Sequence, residues 1–70
     1  MTRTPVSSSN LRSVGYDIAT ATLEIEFHNS SVYQYYGVPY AEYTGLMAAG
    51  SHGQHFDQHI KHRYRYAKVC

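Results

Sequence analysis

The sequence predicts one α+β domain, in which a three-stranded antiparallel β-meander precedes two short helices and a basic C-terminal arm or strand. Three observations predict it: strict apolar and polar alternation over residues 22–28, apolar spacings of three and four residues after Pro39, and basic residues gathered at the end. A chain of 70 residues has room for a single domain. We expect 1–70 to be that domain, with about 6–69 folded and 1–5 mobile.

The strands are predicted from alternation and turn chemistry. In TLEIEFH, the residues Leu23, Ile25 and Phe27 share one face while the two glutamates occupy the other, which is typical of a half-buried strand. The segment SVYQYYG that follows Asn29 and Ser30 is rich in β-branched and aromatic residues, so the two segments are expected to form a hairpin. LRSVGYD upstream predicts the first strand of the meander.

Two helices are expected after the hairpin. The first begins near Pro39 and ends at Gly50, because proline favours a first turn and glycine favours a C-terminus. The second begins at Ser51, which forms a capping box with Gln54, and it places Phe56 on its buried face. The backbone donors at the start of this helix, Ser51 and Gly53, are candidates for binding a phosphate.

The orientation of the central tyrosines depends on the hairpin turn. If Asn29 and Ser30 form a two-residue turn, Tyr33 and Tyr35 share the outer face with the glutamates, and Tyr36 lies under the helices. A slip of one residue would reverse these faces. An outward pair has three interpretations: a stacking surface for RNA bases, a subunit interface, or cross-strand packing. Nearby glutamates oppose the first of these, because they repel phosphates.

Charge is unevenly distributed along the chain. The formal net charge of +1 is the sum of +2 over residues 1–16, −5 over 17–57 and +4 over 58–70. The basic end therefore either docks beside the acidic sheet face or binds an anion. In an extended backbone, Arg63 and Arg65 project to one side, and Tyr64 and Tyr66 project to the other. These tyrosines either fill the core or stack on bases.

These patterns favour a small binding module that is not an enzyme, with RNA or another nucleotide-bearing anion as its ligand. The candidate phosphate contacts are Arg12, Lys61, Arg63 and Arg65, and the candidate stacking residues are Tyr33, Tyr35, Tyr64 and Tyr66. One alternative is a homo-oligomeric interaction protein that uses the Tyr33/Tyr35 face. A further alternative is a sponge that sequesters a small nucleotide between subunits.

No catalytic constellation, metal site or cofactor is predicted. His52, His55, His59 and His62 are spaced so that they share a helix face, but Phe56 takes the buried side, and the histidines are expected on the solvated flank. The single cysteine, Cys70, cannot close an internal disulfide. No apolar run is long enough to span a bilayer, so we expect a cytoplasmic protein, in a bacterium or a phage-infected host.

The order of these motifs resembles the KTSC domain family, named for its occurrence at the C-terminus of some lysyl-tRNA synthetases. The resemblance covers about residues 6–69 and is carried by SSNLRSVGYD, TLEIEFHNSSVYQYYGVP with its central YxY, the YxxLM stretch, and SHGQHFDQHIKHRY. It implies a small domain found in bacteria and phages, with RNA binding suggested by the synthetase context. Two departures occur: His55 replaces a common aromatic, and Arg65 follows Tyr64 where the family often has proline.

Overall fold

A five-stranded antiparallel sheet organises the chain, with its strands in sequence order from one edge to the other. The computed structural model describes all residues 1–70. The elements in chain order are β1 (Thr4–Pro5), β2 (Leu11–Asp17), β3 (Thr22–Phe27), β4 (Val32–Tyr36), α1 (Tyr40–Ala48), α2 (His52–His59) and β5 (Arg65–Lys68). The α+β class, the central meander and both helices are therefore confirmed.

The core lies between one face of the sheet and the two helices. Val14 pairs with Ile25 across β2 and β3, so their side chains share this face. They form one buried cluster with Leu46 of α1 and Phe56 of α2. A β-bulge at Arg12 interrupts the β2–β3 pairing between Leu11 and Ser13, so Leu11 keeps its place in the core while Arg12 is exposed. Leu46 and Phe56 thus anchor the two helices to the sheet.

The β3–β4 hairpin has a three-residue loop, and the predicted two-residue turn is wrong. The N–H of Ser30 donates to the Phe27 carbonyl at 3.0 Å, and the N–H of Phe27 donates to the Ser31 carbonyl at 2.9 Å. Ser30 has a φ of 72°, the left-handed conformation that closes such loops. As a result Tyr33 lies opposite Ile25 and Tyr35 opposite Leu23.

This register places Tyr33 and Tyr35 on the helix side of the sheet, where we had predicted the outer face. Tyr35 is only 4% exposed and belongs to the core cluster, and Tyr33 packs against that cluster. Gln34 and Tyr36 take the outer face instead, where the Tyr36 hydroxyl donates to the Gln34 side-chain carbonyl at 3.3 Å. The extra loop residue is the physical reason, because shifting the pairing by one residue exchanges the two faces of a strand.

The helix boundaries follow from local chemistry. α1 starts immediately after Pro39, as predicted. Ser51 is the N-cap of α2, and its hydroxyl accepts a hydrogen bond from the Gln54 N–H at 3.2 Å. Ile60 follows α2 and is fully buried. The capping residue therefore fixes where the helix carrying Phe56 begins.

The sheet has two strands more than the predicted three-stranded meander. Thr4–Pro5 of the N-terminal segment, which we expected to be mobile, pairs with Val14 and Ser13 of β2. At the opposite edge, Arg65–Lys68 pairs with β4, so the basic end is a strand rather than an arm. The N–H of Val69 also donates to the Val32 carbonyl at 2.8 Å.

The first three residues pack against the outer face of the sheet. A Cβ built on Gly15 would lie 2.7 Å from the Thr2 carbonyl oxygen, so only glycine allows this approach. Arg3 forms an ion pair with Glu24 and donates to the Ser13 hydroxyl at 3.1 Å. Glu24 also accepts from the Gln34 amide at 2.9 Å, and it is 7% exposed although it faces away from the helices. The positive charge of Arg3 thus neutralises part of the negative charge on the outer face of the sheet.

We expect Gly15→Ala to lower the free energy of unfolding by about 1 to 3 kcal/mol, because the added methyl group meets backbone that must move. Gly50→Ala is the matched control, since nothing lies within 4 Å of a Cβ there. The measurement is urea unfolding followed by circular dichroism. Equal stability of the two variants would contradict the packing of the N-terminal segment on Gly15.

Candidate functional site

An open cleft of about 490 Å³ lies on the helix side of the sheet. Four of its lining aromatic residues come from adjacent strands, and a fifth, Phe56, comes from α2; the strand residues are Phe27, Tyr33, Tyr35 and Tyr66. The strands provide this surface because β5 extends the sheet beyond β4 and sets Tyr66 directly opposite Tyr35. We call this surface of five residues the aromatic floor.

The rings of the aromatic floor support one another. The Tyr66 ring lies 5.9 Å from Tyr33 and 5.6 Å from Tyr35, between ring centroids. Phe27 meets Tyr33 edge-on at 5.7 Å, and Phe56 meets Tyr35 edge-on at 5.4 Å. Tyr66 remains 59% exposed, whereas Tyr35 is buried. The floor therefore combines a supported interior with one ring that is accessible to a ligand.

Polar residues form the walls of the cleft. On the α2 side these are Asp57, Lys61 and His62. The others come from the β1–β2 connection and the β3–β4 loop: Ser9, Asn10, His28 and Asn29. The His28 Nε2 lies 2.7 Å from the Ser8 carbonyl oxygen, which ties the two loops together. The cleft thus presents an apolar floor with hydrogen-bonding groups around it, a typical arrangement in small-ligand sites.

The acid–base chemistry of the floor is dominated by Tyr35. Burial raises the pKa of its hydroxyl to about 12, and the nearby Tyr33 and Tyr66 hydroxyls add to the increase. Tyr35 therefore stays protonated at every physiological pH. It is a neutral packing group in the floor, and it does not act as a base.

The cleft brings together four of the predicted binding residues, namely Tyr33, Tyr35, Lys61 and Tyr66. Tyr64 lies elsewhere: it packs against the core, and its hydroxyl donates to Glu42 Oε2 at 3.2 Å. Burial, followed by the Glu42 charge and hydrogen bond, raises the pKa of Tyr64. Tyr64 is thus committed to joining the C-terminal segment to α1.

The predicted arginines do not line the cleft. Arg65 pairs with Tyr36 and so faces the outer side of the sheet. Arg12 lies on the β2 bulge, and its guanidinium donates to the His28 carbonyl at 3.3 Å, behind the cleft wall. Arg63 is exposed and lies two residues beyond Lys61. Its N–H donates to the Ile60 carbonyl at 3.1 Å, which closes a turn. In sequence, Arg63 adjoins the lining residue His62 and Arg65 adjoins the lining residue Tyr66.

The start of α2 is less open than the sequence predicted for a phosphate site. Gly53 is buried, and a Cβ there would lie 3.4 Å from the Ser8 hydroxyl and 3.3 Å from the Asn10 amide nitrogen. The Ser51 hydroxyl already accepts from the Gln54 N–H. A phosphate at Ser51 and Gly53 would have to displace the Ser8–Asn10 segment.

The histidines divide among different environments. His52 Nδ1 lies 2.8 Å from the Leu46 carbonyl oxygen, and His55 Nε2 lies 3.6 Å from Glu42 Oε1, between the helices. The His59 ring is 4.5 Å from the His55 ring, and His62 lines the cleft. No group of three or more histidine, cysteine, aspartate or glutamate side chains is arranged to hold a metal ion.

Sequence reasoning missed several residues of the walls, above all Asp57 and Asn10. Asp57 follows Phe56 on α2, so the turn that buries Phe56 also carries the carboxylate to the cleft. Asn10 and Asn29 carried only a turn signal, and their convergence depends on the sheet topology.

The fold and cleft define a small α+β domain with a ligand-sized aromatic site. A sequence model of the KTSC domain matches residues 7–64, so the chain belongs to the KTSC domain family and the expected resemblance is confirmed. The crystal structure of a KTSC domain protein from Yersinia pestis superposes with a TM-score of 0.96 at 42% identity, over 99% of this chain and 97% of that one.

Two sequence relatives carry the domain in chains of very different length. A protein of Stutzerimonas stutzeri is 41% identical over 70 residues, which is 99% of each chain. The lysine–tRNA ligase of Nostoc punctiforme is 38% identical over 61 residues, which is 87% of this chain but 11% of the ligase. This chain thus corresponds to about a tenth of that enzyme. Neither helix of the structure has the length and apolarity that crossing a membrane requires.

The raised pKa of Tyr35 predicts a specific loss of stability in alkali. Between pH 10 and about 12 the unfolded chain releases this proton while the folded chain retains it, so the stabilisation present below pH 10 declines as pH rises. Tyr35→Phe should flatten the decline in urea-unfolding experiments across this range. Tyr36→Phe, on the outer face, is the control; an equal effect of both variants would contradict the assignment.

Proposed function

We propose that this domain binds single-stranded RNA, placing one base on the aromatic floor and an adjacent phosphate at the cleft mouth. The observation that carries the proposal is the convergence of exposed Tyr66 with Lys61 and His62 in one ligand-sized cleft. Single-stranded nucleic acid is commonly bound by aromatic rings that stack on bases beside basic groups that contact the backbone.

The exposure of the Tyr66 ring and its contacts with neighbouring rings favour base stacking. Its ring is more than half exposed, yet it contacts Tyr33 and Tyr35. A base that stacks on it therefore orders little additional protein. Tyrosine–base stacking contributes about 1 to 3 kcal/mol.

The charges around the cleft are also more favourable for binding RNA than the sequence predicted. Glu24 and Glu26, which we expected beside Tyr33 and Tyr35, project from the opposite face of the sheet. Glu24 is moreover paired with Arg3. The repulsion anticipated between these glutamates and a phosphate backbone is therefore weak at the cleft, where Lys61 supplies positive charge and exposed Arg63 follows.

The ligase relatives favour RNA over other anions. A KTSC-like segment in proteins named lysine–tRNA ligase lies in the same chain as an enzyme whose name specifies an RNA. An added RNA-binding module would raise the effective concentration of that substrate. For this small chain we propose binding without catalysis, in the cytoplasm.

A free nucleotide is the second candidate ligand. The cleft volume lies within the roughly 300 to 1,000 Å³ typical of small-ligand sites. Binding of a mononucleotide as tightly as an oligonucleotide would favour this candidate and the sponge hypothesis. Self-association stays a prediction, but it no longer has an outer Tyr33/Tyr35 surface to use, because both rings face the helices.

Tyr66→Ala should weaken binding of a fluorescent oligouridine RNA by about 5- to 150-fold, because it removes the accessible stacking ring. Tyr40→Ala is the matched control: Tyr40 is 53% exposed, compared with 59% for Tyr66, and lies outside the cleft. Fluorescence anisotropy measures the affinity and circular dichroism checks folding. Equal losses in both variants would contradict stacking in the cleft.

Lys61→Ala should reduce the dependence of RNA affinity on salt. Each phosphate contact adds about 0.7 to the slope of log K against log salt concentration for single strands, so the slope should fall by about that amount. Arg65→Ala removes the same charge from the outer face and should leave the slope nearly unchanged. A larger effect of Arg65→Ala would place the RNA on the other side of the sheet.

A further inference from the structure

Asp57 is an unexpected residue in a cleft proposed to bind RNA. It is the one carboxylate among the 12 lining residues. The ion pairs of the structure are Arg3 with Glu24 and His55 with Glu42, so the charge of Asp57 is not neutralised by a protein partner. A free carboxylate repels phosphates, and it therefore weakens RNA binding unless it accepts hydrogen bonds from the ligand.

The position of Asp57 suits it to contact a base. It directly follows Phe56, whose ring belongs to the aromatic floor, and it lines the same cleft as Lys61, which lies two residues beyond the end of α2. The carboxylate thus stands beside the surface on which a base stacks. Lys61 lies further along the same wall, toward the exposed C-terminal turn.

A carboxylate distinguishes the four RNA bases by their donors. Guanine presents two adjacent donors on its Watson–Crick edge, the N1–H and the N2 amino group, which match the two oxygens of a carboxylate. Adenine and cytosine present one amino group beside a ring nitrogen acceptor, and uracil presents one N–H between two carbonyls. The ring nitrogen and the carbonyls would face the carboxylate as acceptors without a proton.

Two asparagines that also line the cleft complement the remaining polar atom of guanine. Asn10 and Asn29 line the cleft, and each side-chain amide carries an NH₂ donor. The O6 atom of guanine is an acceptor beside the N1–H. An amide donor and a carboxylate acceptor in one aromatic cleft together match the guanine edge.

We propose that the base held in the cleft is guanine, with the Asp57 carboxylate accepting from its N1–H and N2 amino groups. This inference rests on the proposed function and specifies the base that the same cleft recognises.

The test uses short oligouridine RNAs that carry one variable central base: guanine, adenine, cytosine, uracil or hypoxanthine. With the unmodified protein, the guanine RNA should bind about tenfold more tightly than the adenine, cytosine and uracil RNAs, as a bidentate contact implies. The hypoxanthine RNA, which lacks the N2 amino group, should lie between. Fluorescence anisotropy gives each affinity.

Asp57→Asn then separates recognition from general binding. It should weaken the guanine RNA to the level of the others, while oligouridine binding holds or strengthens because a negative charge is removed. Gln58→Ala changes the neighbouring exposed residue of α2, outside the cleft, and should leave the guanine preference intact. Thermal unfolding confirms that both variants are folded.

The failures are distinguishable. If no RNA of the series binds, the proposed function is overturned, and the base preference with it. If the RNAs bind but equally, or if Asp57→Asn retains the guanine preference, RNA binding stands and guanine recognition by Asp57 is overturned.

Discussion

The arrangement of the sheet depends on the backbone of Ser30. Its left-handed conformation closes a three-residue loop and fixes the pairing of β3 with β4. That register turns Tyr33 and Tyr35 toward the helices, and because β5 pairs with β4, it also sets Tyr66 beside them. One fewer loop residue would send these rings to the outer face and leave the cleft without its floor. The aromatic site and the core are therefore products of the same turn.

The register also places the two glutamates of β3 and the cleft on opposite faces of the sheet. The outer face holds Glu24 and Glu26, where the Arg3 guanidinium and the Ser13 hydroxyl provide hydrogen bonds. The helix side holds the cleft, with Lys61 at its wall. The sheet separates this acidic surface from the cleft that Lys61 lines, and the near-zero net charge conceals the division.

Much of the fold could be predicted from local patterns, whereas the site required tertiary geometry. Alternation identified β3, and the capping box located Ser51 at the start of α2. The pair Asn29 and Ser30 did not determine loop length, because no glycine marked the left-handed position, and the faces of Tyr33 and Tyr35 were consequently reversed. β1 is only two residues long, too short for periodicity to detect. A lone acid such as Asp57 gives no signal until the cleft exists.

The two edge strands of the sheet oppose pairing between copies of the protein at high concentration. β1 contains Pro5, which lacks an N–H, and β5 carries Arg65 and Lys68. A second copy that approached β5 would meet like charges, and one that approached β1 would find a short strand with a missing donor. Growth of the sheet from one copy to the next is thus discouraged at both ends. Several copies can then crowd together without fusing into a continuous β-structure.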